Sequence, residues 1–232
     1  MLKIDKALCL CLDKRQDEWD ELKEQCESHG IEFDPFVVGE GKLLPFESYD
    51  RIDDKFPPVE HWQYGNPITK KNHCNAFLSH QSMIRKALSE GAETVLLLED
   101  DAYFTSRYDD VLGKLNEELK ELDFDMLYLG WWIGNEYDEW NVKVEKEYKE
   151  EGKVGIGRIK DAHFTCGGLH GVIVKKPMLQ VMTQLSPVNP IDSQLNRIAH
   201  RKINSYYVFP KIIHDKGIFS HCEQAPCPRS KI

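Results

Sequence analysis

Three consecutive acids, Glu99-Asp100-Asp101, follow directly on the apolar run Thr94 to Leu98. Carboxylates this close repel one another, and ionising them together costs free energy unless a cation or a set of hydrogen-bond donors compensates. A divalent metal is the simplest compensator. Oxygen ligands suit Mg2+ or Mn2+, and Mn2+ also accepts a nitrogen ligand. The same tripeptide suits a plain loop that caps a helix N-terminus. Position bears on the choice, because TVLLL reads as a strand buried on both faces and ligands in open α/β sheets bind beyond the carboxyl ends of the strands.

Other residue groups invite chemistry with less force. Gly167-Gly168 permits close backbone approach to a ligand. Trp131-Trp132 offers broad apolar faces that suit either a sugar ring or ordinary packing. Ser79 and His80 are neighbours on one helix, so their side chains point about 100° apart and cannot form a nucleophile–base pair. His80 is better placed as a residue supporting a nearby ligand pocket. His221, Cys222 and Cys227 are too few and too irregularly spaced for a zinc site.

The elements that must position these residues follow a strand–helix alternation. Ala7 to Leu12 (ALCLCL) reads as a buried strand, Asp17 to His29 as an amphipathic helix stopped by Gly30, and Ile31 to Val38 as a second strand. That is the opening of a right-handed βαβ unit. Gly39 to Pro67 is proline-rich and aperiodic, a long surface excursion. Helical spacing returns from Asn72 to Ser89 and again from Tyr108 to Leu122, with Asp125 to Leu129 as a strand after it. Asn135 to Gly152 is so charged that it reads as a solvated loop or peripheral ribbon. Gly167 to Val174 is a strand, Pro177 and Pro190 open helices, and Tyr206 to Phe209 is the last strand. The expected architecture is α/β, with a mostly parallel central sheet flanked by helices and residues 1–232 forming one domain.

Composition narrows the partners. The 232 residues carry 39 acids against 30 bases, a formal net charge of −9, which disfavours nucleic acid as a ligand. An anionic ligand of such a chain needs local donors or a metal cation. Apolar runs fall far short of the roughly 20 residues that span a bilayer. The first residues, MLKIDK, hold no signal-peptide core, so the expected location is the cytosol. Seven scattered cysteines are expected to be reduced thiols.

The stretch Phe77-Leu78-Ser79-His80, then Ala87-Leu88, Gly91, and Val95 through Glu99-Asp100-Asp101-Ala102-Tyr103-Phe104 resembles the signature block of glycosyltransferase family 25. Leu12-Asp13-Lys14-Arg15, Gly30-Ile31, Asp125 to Gly130, Pro190-Ile191-Asp192 and Pro210 with Ser220 extend that resemblance along nearly the whole chain. The resemblance implies a GT-A, Rossmann-like fold and a nucleotide-diphosphate sugar donor, UDP-hexose first, with a glycan or protein hydroxyl as acceptor. It implies a DxD-like role for the acids: Asp101, with Glu99, on Mn2+ or Mg2+, and Glu99 and Asp100 on ribose, sugar or metal-bound water. It also implies a third metal ligand near the C-terminus, His214 with His221 as competitor, and a nucleotide contact by Leu12, Lys14 and Arg15. His80, Gly167 and Gly168 are expected beside the donor. Asp192 is the expected general base of an inverting transfer, the alternative being a helix N-terminal aspartate. The sequence departs from the family pattern at Cys11, where asparagine is common, and at Glu18, where a second arginine is common. Rival readings are a noncatalytic nucleotide-sugar or glycan-binding relative and a metal-dependent nucleotidyl or phosphoryl transferase.

Overall fold

Strand β3 (Thr94–Glu99) is an interior strand of the main sheet, and its residues alternate between two apolar layers. Val95 and Leu97 enter one cluster with Phe77, Ile84, Val172 and Leu195, while Leu96 and Leu98 enter the other with Leu22, Val111, Leu115 and Ile213. Each fully buried leucine contributes about 1.5–3 kcal/mol by leaving water. Such a strand therefore survives only with helices on both faces. The computed structural model describes residues 3–38, 67–131, 138–159, 167–185, 190–199, 203–216, 219–220 and 225–226.

The chain begins with β1 (Lys6–Leu12), a 3-10 turn (Asp13–Arg15), α1 (Gln16–Ser28) and β2 (Phe33–Val38). Helix α2 (Pro67–Ser89) precedes β3, and β4 (Ala102–Phe104) and α3 (Tyr108–Glu121) follow it. Next come β5 (Met126–Tyr128), α4 (Asp138–Glu151), β6 (Gly155–Arg158), β7 (Val172–Lys175), α5 (Lys176–Met182) and α6 (Ile191–Ala199). Strands β8 (Ser205–Phe209) and β9 (Ile213–Asp215) and the short pair β10 (Phe219–Ser220) and β11 (Ala225–Pro226) complete the order.

The central sheet has seven strands in the order β2-β1-β3-β7-β5-β8-β6. It is mixed. Strands β2, β1, β3, β5 and β8 share a direction, while β7 and β6 run against their neighbours. A short apolar run such as Val172-Ile173-Val174 suits a buried strand in either direction, so the reversal has no sequence signature. A separate antiparallel pair, β4–β9, sits beyond the carboxyl ends of β3 and β5, and Ile212 N–H and Ile213 N–H both reach Leu129 O.

The charged segment expected as loop or ribbon is instead a helix, α4. Lys143–Glu147 and Lys146–Glu150 form i,i+4 pairs along it, Val144 is buried, and the Tyr148 hydroxyl donates to Asp110 at 3.0 Å. Such pairs each add a few tenths of a kcal/mol, and docking on α3 contributes the rest. For Trp131 the packing alternative holds: it is 2 % exposed and donates its indole N–H to Val208 O in the core. Cys9, Cys11 and Cys26 are buried free thiols. No helix of the described residues is long and apolar enough to cross a membrane. Trp132, His221, Cys222, Cys227 and the excursion at 39–66 lie outside the described residues.

Candidate functional site

The parallel pairing of β1 with β3, with Leu10 opposite Glu99, brings the ends of both strands together. Beyond that register Asp100 turns inward. Its Oδ2 accepts the Leu12 N–H at 2.9 Å and its Oδ1 accepts Arg15 Nη1 at 2.7 Å. Asp100 is 5 % exposed, so the two contacts join β1 and β3 where water scarcely competes. Lys14, next to Arg15, belongs to the same turn.

Asp101 stands at the head of β4, where its carbonyl accepts the Lys216 N–H at 2.8 Å, while Arg15 Nη1 lies 3.9 Å from its carboxylate. Burial pushes its carboxyl up to about 6, the charges of Asp100 and Asp215 push the same way, and Arg15 opposes them. A carboxylate held against two like charges is stabilised by any cation that reaches it. Its oxygen donors are the hard kind that Mg2+ and Mn2+ take. Asp101 therefore offers one oxygen ligand of the kind a divalent metal takes.

Glu99 remains half-exposed at the end of β3, with its Oε1 4.0 Å from His80 Nε2. His80 comes from α2 and is 2 % exposed. Burial holds its imidazole down to about 4, so the ring is neutral at pH 7. Its Nδ1 is buried without a hydrogen-bond partner among the described residues.

His214 sits on β9 opposite Tyr103, with the two ring centroids 5.6 Å apart. Its Nε2 lies 3.4 Å from Arg107 Nη2. Burial, aided by Lys211, Arg107 and His170, pushes its imidazole down to about 3. Strand alternation sends adjacent side chains to opposite faces. Asp215, the next residue, pairs with Ala102 and is the one whose charge Asp101 feels. Among the described residues no group of three His, Cys, Asp or Glu side chains comes together in a way that could hold a metal ion, so Asp101, Glu99 and His214 do not form a closed ligand set.

The antiparallel register of β7, with Leu97 opposite Val172, puts residues 167–171 at the end of the sheet where Glu99 emerges. Gly168 has φ +83°, and its N–H donates to Asp192 Oδ2 at 3.4 Å; Asp192 Oδ1 accepts the Ser193 N–H at 2.8 Å. Gly167, Gly168 and Asp192 thus gather at the same end as the acids. His170, Arg107 and Asp215 were not singled out from sequence. The only sequence signal for Asp215 is its place beside His214, and strand register alone distinguishes the two.

Comparison with known proteins gives a consistent match. The model of glycosyltransferase family 25 (LPS biosynthesis protein) matches residues 5–162. A glycosyltransferase 25 family member of Drosophila melanogaster is 27% identical over 222 residues, covering 90% of this chain and 33% of its own length. Procollagen galactosyltransferase 1 of Danio rerio is 21% identical over 241 residues, covering 94% and 38%. A human protein described as inactive glycosyltransferase 25 family member 3 is 32% identical over 105 residues, covering 44% and 16%. The chain thus spans well under half the length of these relatives. The solved structure of a glycosyltransferase involved in glycosylation of the major capsid of PBCV-1 overlaps 77% of this chain and 64% of its own, at 12% identity and a TM-score of 0.36.

Proposed function

The chain belongs to glycosyltransferase family 25, and we propose that it is a metal-dependent, inverting enzyme that moves a sugar from a nucleotide-diphosphate donor, UDP-hexose first, to a hydroxyl of a glycan or protein. The observation that carries this reading is Asp101 just beyond the carboxyl end of β3, half-buried against like charges with Arg15 beside it. Asp101 would hold Mn2+ or Mg2+, which when bound supplies the positive charge that steadies the leaving diphosphate. Arg15 and Lys14 add fixed positive charge to the nucleotide side. Glu99 and the neutral His80 face the sugar, and the Gly167-Gly168 backbone gives it room. Asp192 takes the proton from the acceptor hydroxyl as that oxygen attacks.

The test is incubation with Mn2+ and a panel of nucleotide sugars, followed by measurement of nucleoside diphosphate release. Release that disappears in Asp101→Ala supports the reading, and no release from any donor refutes turnover. A second reading, a noncatalytic nucleotide-sugar-binding relative, is favoured by the 32% identity to a human family member described as inactive. That reading predicts donor binding without release.

A further inference from the structure

The acids of the triplet do not have the same surroundings. Asp101 is pressed against like charges, whereas Asp100 has both carboxylate oxygens engaged by protein donors, the Leu12 N–H at 2.9 Å and Arg15 Nη1 at 2.7 Å. At 5 % exposure Asp100 has little surface left for a ligand. Its partner is a guanidinium whose side chain is itself only 10% exposed and whose Nη1 is 3.9 Å from the Asp101 carboxylate. A diphosphate bound through a metal on Asp101 would come within reach of that group.

We propose that Asp100 is a positioning residue that acts through Arg15, holding the guanidinium at the ends of β1 and β3 where it meets the diphosphate of a nucleoside-diphosphate donor. The inference rests on the proposed function for its ligand and assigns Asp100 to neither metal nor sugar. An arginine side chain has several rotatable bonds, and fixing it beforehand removes the entropy otherwise lost when the anion binds. Its planar fork matches phosphate oxygens in a way that a lysine ammonium cannot. The Leu12 contact anchors the carboxylate itself, so the whole arrangement is fixed by backbone at both strand ends.

The experiment is isothermal titration of UDP, with Mn2+ present, into wild type, Arg15→Gln, Asp100→Asn and the double variant, with Mn2+ alone titrated in parallel. Each single substitution is expected to weaken UDP binding about tenfold, the loss of one charge-assisted contact. The double variant is expected to bind no more weakly than Arg15→Gln, because residues acting as a unit are not additive. Mn2+ affinity of Asp100→Asn stays within about twofold of wild type. Multiplying effects in the double variant, or loss of Mn2+ binding in Asp100→Asn, overturns the inference and leaves the proposed function standing. Failure of wild type to bind UDP or other nucleoside diphosphates overturns the function and the inference with it. Arg15→Lys tests the same claim without touching the buried carboxylate: UDP affinity falls while Mn2+ affinity and melting temperature hold, and unchanged UDP affinity contradicts it.

Discussion

Asp192 and Gly168, 24 residues apart in sequence, meet through a 3.4 Å hydrogen bond from the glycine N–H to the aspartate Oδ2. The contact ties the first turn of α6 to the backbone entering β7, which is how a residue remote from the acid triplet comes to the same end of the sheet. Gly168 is required there, since at φ +83° a Cβ would also lie 2.6 Å from His170 Nδ1.

Substituting Asp192→Asn keeps a side-chain acceptor and removes the base. If Asp192 accepts the acceptor's proton, turnover falls about 100-fold or more while nucleoside diphosphate affinity holds. Steady-state kinetics beside a binding titration decides it. Unchanged turnover would reduce Asp192 to a cap on α6.

Gly130 lies where β5 ends, and a Cβ there would come 2.6 Å from Ile213 O and 3.0 Å from His170 Cδ2. Backbone cannot yield cheaply, so Gly130→Ala should destabilise the fold by about 1–3 kcal/mol. Gly113, within α3, has nothing within 4 Å of such a Cβ. Gly113→Ala should therefore stabilise by about 0.5–1 kcal/mol through helix propensity. Urea denaturation of the two variants gives opposite shifts in midpoint, and shifts of the same sign contradict the packing described.

His80 makes stability sensitive to acid. Its imidazole is held down to about 4 by burial, against an unfolded value near 6.5. Between those values the unfolded chain binds more protons, so this contribution is complete above about pH 6.5 and is lost as pH falls toward 4. Melting temperature should drop more steeply from pH 7 to 4.5 in wild type than in His80→Gln. Parallel profiles would show that His80 is not buried as described.

Much of this fold is legible in the chain. TVLLLE announces a strand buried on two faces, and the same run delivers Glu99, Asp100 and Asp101 to its carboxyl end. Pro177 and Pro190 mark helix starts that are observed at α5 and α6. Direction is not legible: Val172-Ile173-Val174 reads the same forward or reversed, and only pairing with β3 and β5 shows that β7 runs against them. Charge misleads in α4, where alternating Lys and Glu look like a solvated loop until their i,i+4 spacing and the contacts of Tyr148 are seen together. The surroundings of the acids were hidden for a related reason. Arg15 and Asp100 are 85 residues apart, and Asp215 reaches Asp101 only through the register of β4 with β9.

In the proposed function, donor binding depends on a divalent cation held by Asp101. The direct measurement is UDP affinity by titration with Mn2+ and again with excess chelator, in wild type and in Asp101→Asn. Chelation is expected to weaken wild-type binding at least about tenfold, a loss of roughly 1.4 kcal/mol or more. Asp101→Asn is expected to bind UDP weakly in both conditions. Wild-type affinity that is the same with Mn2+ and with chelator would contradict that dependence.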